Sequence, residues 1–307
     1  MTVRRRRVLA GAVLVAFGAI ILATNRDEPV ETFSGPSALA LVHDAQGGCG
    51  GARTMPWPGG TWRCTFSEDF DGRAVDLTKW VVMDTAGIGF RSGDACFVDS
   101  PDNVSVSRGL LHLTARAVGP IPPCGVPSDG QPRRYTSGML TSMGRFDQTY
   151  GRFEIRARFT PVTVPGIQGA LWLWPSRYPY GAWPRSGEID IAEFYSRFPD
   201  RVIPYVHYAS AGKDPTATNR ACLVDQPDRF HTYAAQWTPD TITITFDGRI
   251  CTSTRWSPAA PLQKPAPFNH PFHVNLTQAL GIGNNAFDPR TTPLPASMQV
   301  DHVYVWG

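Results

Sequence analysis

Gly151-Arg152-Phe153-Glu154-Ile155-Arg156-Ala157-Arg158-Phe159 alternates apolar and polar residues without a break. Phe153, Ile155, Ala157 and Phe159 fall on one side of an extended chain. Arg152, Glu154, Arg156 and Arg158 fall on the other. This period of two predicts a half-buried β-strand with a solvated, charged face. The same reading extends outward. Thr241–Phe246, the turn pair Asp247-Gly248 and Arg249–Ser253 predict a hairpin. Further strands are expected at Leu110–Ala115, Ser137–Ser142, Ala170–Trp174, Val202–Tyr208, Phe272–Leu276 and Gln299–Trp306. Beyond the first 24 residues no helical period is sustained. Many short strands without helices predict an all-β fold of two packed sheets. Residues 61–307 contain no break in composition and read as one domain.

The rest of the chain bounds its setting. Residues 1–28 carry a basic run, Arg4 to Arg7, ahead of an apolar stretch from Val8 to Ala23. That is the pattern of a signal peptide or an N-terminal membrane anchor, and it predicts a secreted or surface-anchored protein. Five arginines against Asp27 and Glu28 in this segment account for the whole formal charge of +3, so 29–307 is neutral. No basic face is implied, which argues against a nucleic-acid partner. A membrane is expected as a partner only through an uncleaved leader. Residues 29–60, rich in Gly, Pro and Ala, read as a linker or N-terminal wrap. The six cysteines, Cys49, Cys64, Cys96, Cys124, Cys222 and Cys251, form an even set with no C-x-x-C pair. A zinc site is therefore not expected, and sequential disulfide pairing is.

Chemistry is concentrated in Glu188-Ile189-Asp190-Ile191-Ala192-Glu193. On a strand, Glu188 and Asp190 share a face, and strict alternation sends Glu193 to the other. One extra residue near Ile191-Ala192, a β-bulge, would return Glu193 to the first two. The two glutamates then lie roughly 13 Å apart at Cα. Leaning together, their carboxyls could approach the roughly 5–5.5 Å typical of retaining glycosidases. Three crowded acids cannot all ionise easily, so one proton is held near neutral pH. A solvated acidic face or a calcium-binding cluster is the alternative reading of the spacing alone.

Trp183-Pro184-Arg185-Ser186-Gly187 and the acid run that follows resemble the E-x-D-x-x-E signature of glycoside hydrolase family 16, in its laminarinase-like branch. Phe66–Gly72, Tyr150–Ala157, Ala170–Pro175, Phe230–Tyr233 with Trp237, and Val300–Val305 are similar to that family in the same order. The resemblance spans roughly 61–306. It implies a β-jelly roll of two curved antiparallel sheets with an open substrate cleft. It also implies a retaining, endo-acting β-1,3-glucanase on laminarin-like polysaccharide, working as a monomer. Mixed-linkage glucan, a galactan or transglycosylation would use the same mechanism, and a glycan-binding module is the rival from another class. By resemblance Glu188 is the nucleophile, Glu193 the acid/base and Asp190 a supporting carboxylate. Trp172 and Trp183 match cleft-lining positions, although Trp172 could instead pack in the core. His207 matches a histidine beside the leaving-group side, or is a structural histidine. Gln278, expected in a loop after Leu276, could reach sugar hydroxyls. Gln168 stands where the family often has an aromatic, which implies a missing stacking platform. No cofactor is expected for the chemistry. A structural calcium is expected from Asp301, with Glu68 and the Gly109 carbonyl as companions, since hard oxygen ligands suit that ion.

Overall fold

The computed structural model describes residues 48–88, 90, 93, 95–119 and 134–307. The expected leader, residues 29–47 and Cys124 lie outside the described residues. In chain order the strands are β1 (Thr54–Trp57), β2 (Gly60–Glu68), β3 (Val81–Val82), β4 (Cys96–Phe97), β5 (Val104–Ser107) and β6 (Leu110–Ala117). They continue with β7 (Tyr135–Ser137), β8 (Met139–Thr141), β9 (Gly151–Arg158), β10 (Ile167–Pro175), β11 (Glu188–Tyr195) and β12 (Ile203–His207). The last five are β13 (His231–Trp237), β14 (Ile242–Phe246), β15 (Arg249–Thr254), β16 (Phe272–Leu280) and β17 (Ala296–Trp306). Helix among the described residues is limited to single turns at Thr85–Ile88 and Gly283–Asn285.

The strands form two facing sheets, a jelly roll. One runs β15-β14-β13-β9-β17-β6-β7-β4, with β2 added on β17, β1 on β2 and β5 on β6. The other runs β12-β11-β10-β16-β8-β3 and carries the cleft. Every pairing is antiparallel except β4 with β7. The alternation at 151–159 survives intact: Phe153, Ile155 and Ala157 are 0–1% exposed and face the other sheet. They meet Leu171, Leu173, Ile189, Ile191 and Phe194 from the cleft sheet in one continuous core. Close packing of this many aromatic and branched side chains is the main source of stability. The charged face of β9 is less solvated than alternation suggests. Arg152 bonds Glu154 at 2.6 Å, Arg156 bonds Asp301 at 2.8 Å and Arg158 donates to Gln299 at 2.6 Å.

The Asp247-Gly248 turn joins β14 to β15 with both residues at positive φ, 48° and 76°. That is the conformation a two-residue hairpin with right-handed twist requires. Residues 48–60 behave as a wrap and not as a linker. β1 pairs with β2, and Cys49 is disulfide-bonded to Cys64. The ordered unit therefore begins before Thr61. Cys222 is bonded to Cys251, as sequential pairing predicts, and Cys96 is also disulfide-bonded. Among the described residues, no helix is long and apolar enough to cross a membrane.

Candidate active site

The cleft floor is set by register. Trp172 of β10 lies between Asp190 of β11 and Asn275 of β16, and Asp190 lies beside Tyr205 of β12. One step along, Ala170 lies between Glu193 and Thr277, with Ile203 beyond Glu193. In the other direction Glu188 pairs with His207. A bulge gives this grid its chemistry. Between Asp190 and Glu193, β11 advances three residues while β12 advances two, from Tyr205 to Ile203. The surplus falls at Ile191-Ala192, both 0% exposed and turned to the core. Glu188, Asp190 and Glu193 consequently share the cleft face, as the spacing predicts. Gly187, just before the strand, has φ of +82°, and a Cβ there would come within 2.7 Å of the Phe268 ring. Only glycine fits this approach to the first acid.

These acids are not a solvated strand face. Glu188, Asp190 and Glu193 are 2%, 4% and 6% exposed. One carboxylate oxygen each of Glu188 and Asp190 and one ring nitrogen of His207 lie within 4.8 Å of one another. Each acid has its own neutral partner. Trp183 Nε1 donates to Glu188 Oε2 at 2.6 Å. His207 Nε2 lies 3.1 Å from Asp190 Oδ2, and its ring is stacked on Tyr205 at 3.8 Å. Tyr195 O–H donates to Glu193 Oε1 at 2.7 Å, and Gln168 Nε2 reaches the same oxygen at 3.3 Å.

Burial, which penalises the charged form, pushes the Glu188 carboxyl well above the usual range, and the Asp190 charge adds to the rise. The Trp183 bond opposes it. Glu193 is likewise raised by burial and then by Asp190, against the Tyr195 and Gln168 bonds and the Arg220 charge. The cluster therefore keeps protons at pH values where exposed carboxylates have lost them.

The remaining expected residues divide. Trp172 faces the cleft side but is only 9% exposed. It is packed with Met83, Phe97, Met139 and Ala170, and its Nε1 donates to Thr277 Oγ1 at 2.9 Å. Trp174 and Tyr178, joined by a 2.7 Å hydrogen bond, extend the aromatic surface beyond it. Gln278 needs correction. β16 continues to Leu280, so Gln278 shares the parity of Val274 and Leu276 and turns to the interior. It is 0% exposed, and its amide has no hydrogen-bond partner among the described residues. It does not reach the cleft. Gln168 does reach it, with its amide on Glu193. Tyr195, Tyr205 and Arg220 were not anticipated. Tyr195 was the findable one, two residues after Glu193 and so on the same face.

The expected calcium ligands are already engaged. Glu68 Oε1 accepts from the Phe70 N–H at 2.8 Å and Oε2 from Trp80 Nε1 at 3.1 Å, with Lys79 Nζ 3.6 Å away. Asp301 Oδ2 is held by Arg156 at 2.8 Å and by His302 Nδ1 at 3.0 Å. A cation would have to displace an arginine, so the side chains of Glu68 and Asp301 do not fit a calcium site as they stand. No step below uses a metal.

Comparison with known proteins agrees with this geometry. The profile of "Glycosyl hydrolases family 16" matches residues 92–287. The "Beta-glucanase" of Rhodothermus marinus is 33% identical over 260 residues, covering 80% of this chain and 85% of that protein. The "Glucan endo-1,3-beta-glucosidase A1" of Niallia circulans is 31% identical over 265 residues, covering 78% of this chain but only 37% of its own length. Among solved structures, the laminarinase from Rhodothermus marinus superposes with a TM-score of 0.65 at 30% identity, over 80% of this chain and 97% of that one. Jelly roll, bulged acid strand and matched profile lead to one conclusion: the chain belongs to glycosyl hydrolases family 16.

Proposed function

We propose that the protein is a retaining endo-β-1,3-glucanase acting on laminarin-like polysaccharide. The observation that carries the chemistry is the bulge at Ile191-Ala192, which puts two buried glutamates and an aspartate on one cleft face. The substrate follows from the relatives, of which two are named for β-glucan or 1,3-β-glucan cleavage and one is a laminarinase.

A Glu188 carboxylate oxygen attacks the anomeric carbon while the glycosidic C–O bond breaks. Glu193 transfers its proton to the departing oxygen. Water then adds to the same carbon, giving its proton to Glu193, and the bond to Glu188 breaks. Two displacements return the original anomeric configuration. Trp183 holds the Glu188 carboxylate, and its own half-buried ring presents a face against which the apolar side of a sugar can stack. Asp190, fixed by His207, supplies negative charge that favours the proton on Glu193 before transfer. Export through the N-terminal segment agrees with disulfides at Cys49–Cys64 and Cys222–Cys251.

The test is a product analysis on a panel of polysaccharides and on defined β-glucan oligosaccharides. The expected result is internal cleavage of laminarin with the β-anomer appearing first. Cleavage of agarose or carrageenan with none of laminarin would overturn the substrate, and release of the α-anomer would overturn the mechanism.

A further inference from the structure

Both donors at Glu193 converge on a single atom. The Tyr195 hydroxyl reaches Oε1 at 2.7 Å and the Gln168 amide reaches it at 3.3 Å. Gln168 and Tyr195 are themselves direct partners across β10 and β11. They form a cross-strand clamp over the acid. An oxygen that accepts two hydrogen bonds is the carbonyl oxygen when the acid is neutral. The proton of neutral Glu193 is thereby assigned to Oε2.

We propose that Tyr195 and Gln168 are positioning residues for the proton donor: they anchor Glu193 through Oε1 and leave Oε2 to deliver the proton to the leaving oxygen. The inference rests on the acid/base role proposed for Glu193. After delivery the carboxylate keeps the same two donors, now as charge-assisted bonds. One clamp thus serves both halves of the reaction. It orients the acid before transfer and stabilises the anion after it. Gln168 is then no vacant stacking position but a ligand of the acid.

Other groups bear on Glu193. Glu188 and Asp190 lie on its own strand, and Arg220 acts on it from the segment after β12. Its direct neighbours on β10 and β12, Ala170 and Ile203, are uncharged. Tyr205 and His207 of β12 pair with Asp190 and Glu188 instead. Tyr195 is neutral throughout the working range, because burial and the Glu193 charge push its hydroxyl well above the usual tyrosine value. It therefore remains a donor.

The experiment compares kcat/KM against pH for the wild type, Tyr195→Phe and Gln168→Met on a β-1,3-gluco-oligosaccharide. An activated aryl β-glucoside, whose leaving group needs no proton, is run alongside. Loss of the donor removes an interaction that favours the carboxylate, so the pKa of Glu193 rises. The alkaline limb of Tyr195→Phe should move up by about one pH unit, with the acid limb unmoved. Gln168→Met should move it less, in keeping with its longer bond, and it provides the same test should Tyr195→Phe fold poorly. The shift should persist in about 1 M salt, which screens the exposed Arg220 but not a buried hydrogen bond. On the activated glucoside both variants should stay within about twofold of wild type. Alkaline limbs that superimpose on wild type in both variants, or an equal loss on both substrates, would overturn the clamp. Glu193→Gln, measured in parallel, tests the underlying reading separately. If it too loses equally on both substrates, Glu193 is not the proton donor.

Discussion

Glu154 and Glu188 are the same residue type on strands of two facing sheets, and their surroundings drive them in opposite directions. Burial raises both. At Glu154, on the outer face of β9, His302 and the Arg152 guanidinium outweigh it and hold the carboxyl below its ordinary value. At Glu188 the added neighbours are Asp190 and Glu193, and the compensating donor is the neutral indole of Trp183. One sheet matches its acids with cations. The other packs acid beside acid and offers only N–H and O–H groups. The lesson is that a carboxylate held for structure is given a counter-charge, whereas one held for proton transfer is denied it.

This contrast can be broken at either end. Glu188→Gln should lower kcat by about four orders of magnitude or more on laminarin, because a neutral amide cannot form the glycosyl bond. A steady-state assay with circular dichroism as the fold control decides it, and unchanged hydrolysis would remove Glu188 from the mechanism. The same change should stabilise the protein. A carboxyl whose folded pKa is raised gives full stability below its unfolded pKa and loses it as pH rises toward the folded value. Glu188→Gln and Glu193→Gln should therefore each raise Tm by about 2–4 °C at pH 7 and by less at pH 4. Thermal denaturation at the two pH values reads the difference, and a lower Tm at pH 7 would contradict it.

Trp183→Phe keeps the ring and removes the N–H. The Glu188 pKa should rise further, moving the acid limb of kcat/KM upward by about half to one pH unit. A limb that stays in place would show that the indole serves only the sugar. The smallest effect belongs to the outer sheet. Glu154 has a lowered pKa, so its contribution is present above the unfolded pKa and is lost as pH falls through the folded one. Glu154→Gln should cost about 0.5–1 kcal/mol at pH 7, with the gap to wild type closing in acid and no change in kcat. Chemical denaturation at pH 7 and pH 3 measures it.

Most of this was legible in the chain, and the failures have one physical source. The alternation at 151–159 and the extra residue at Ile191-Ala192 could be counted directly. Gln278 was misplaced because the strand was ended at Leu276. Carried on to Leu280, parity alone sends Gln278 inward. Tyr195 was overlooked because β11 was read only as far as Glu193, two residues short of the clamp. Strand ends are set by partners across the sheet and not by local pattern, so they are where a sequence says least. Trp183 exposes a different limit. Its aromatic ring suggests stacking, and nothing local shows that its nitrogen faces Glu188.

The bulge has a consequence for how this protein can change. It makes position 191 a parity switch for everything downstream on the strand. Deleting one residue there would turn Glu193 and Tyr195 toward the interior and carry Phe194 out to the cleft, away from the Phe159 ring it stacks against at 5.1 Å. Placing an acid in that layer costs several kcal/mol, a large part of the margin that keeps a domain folded. Substitutions in the cleft can retune the chemistry one step at a time. A change in length at this point is refused by the core before selection on activity can act.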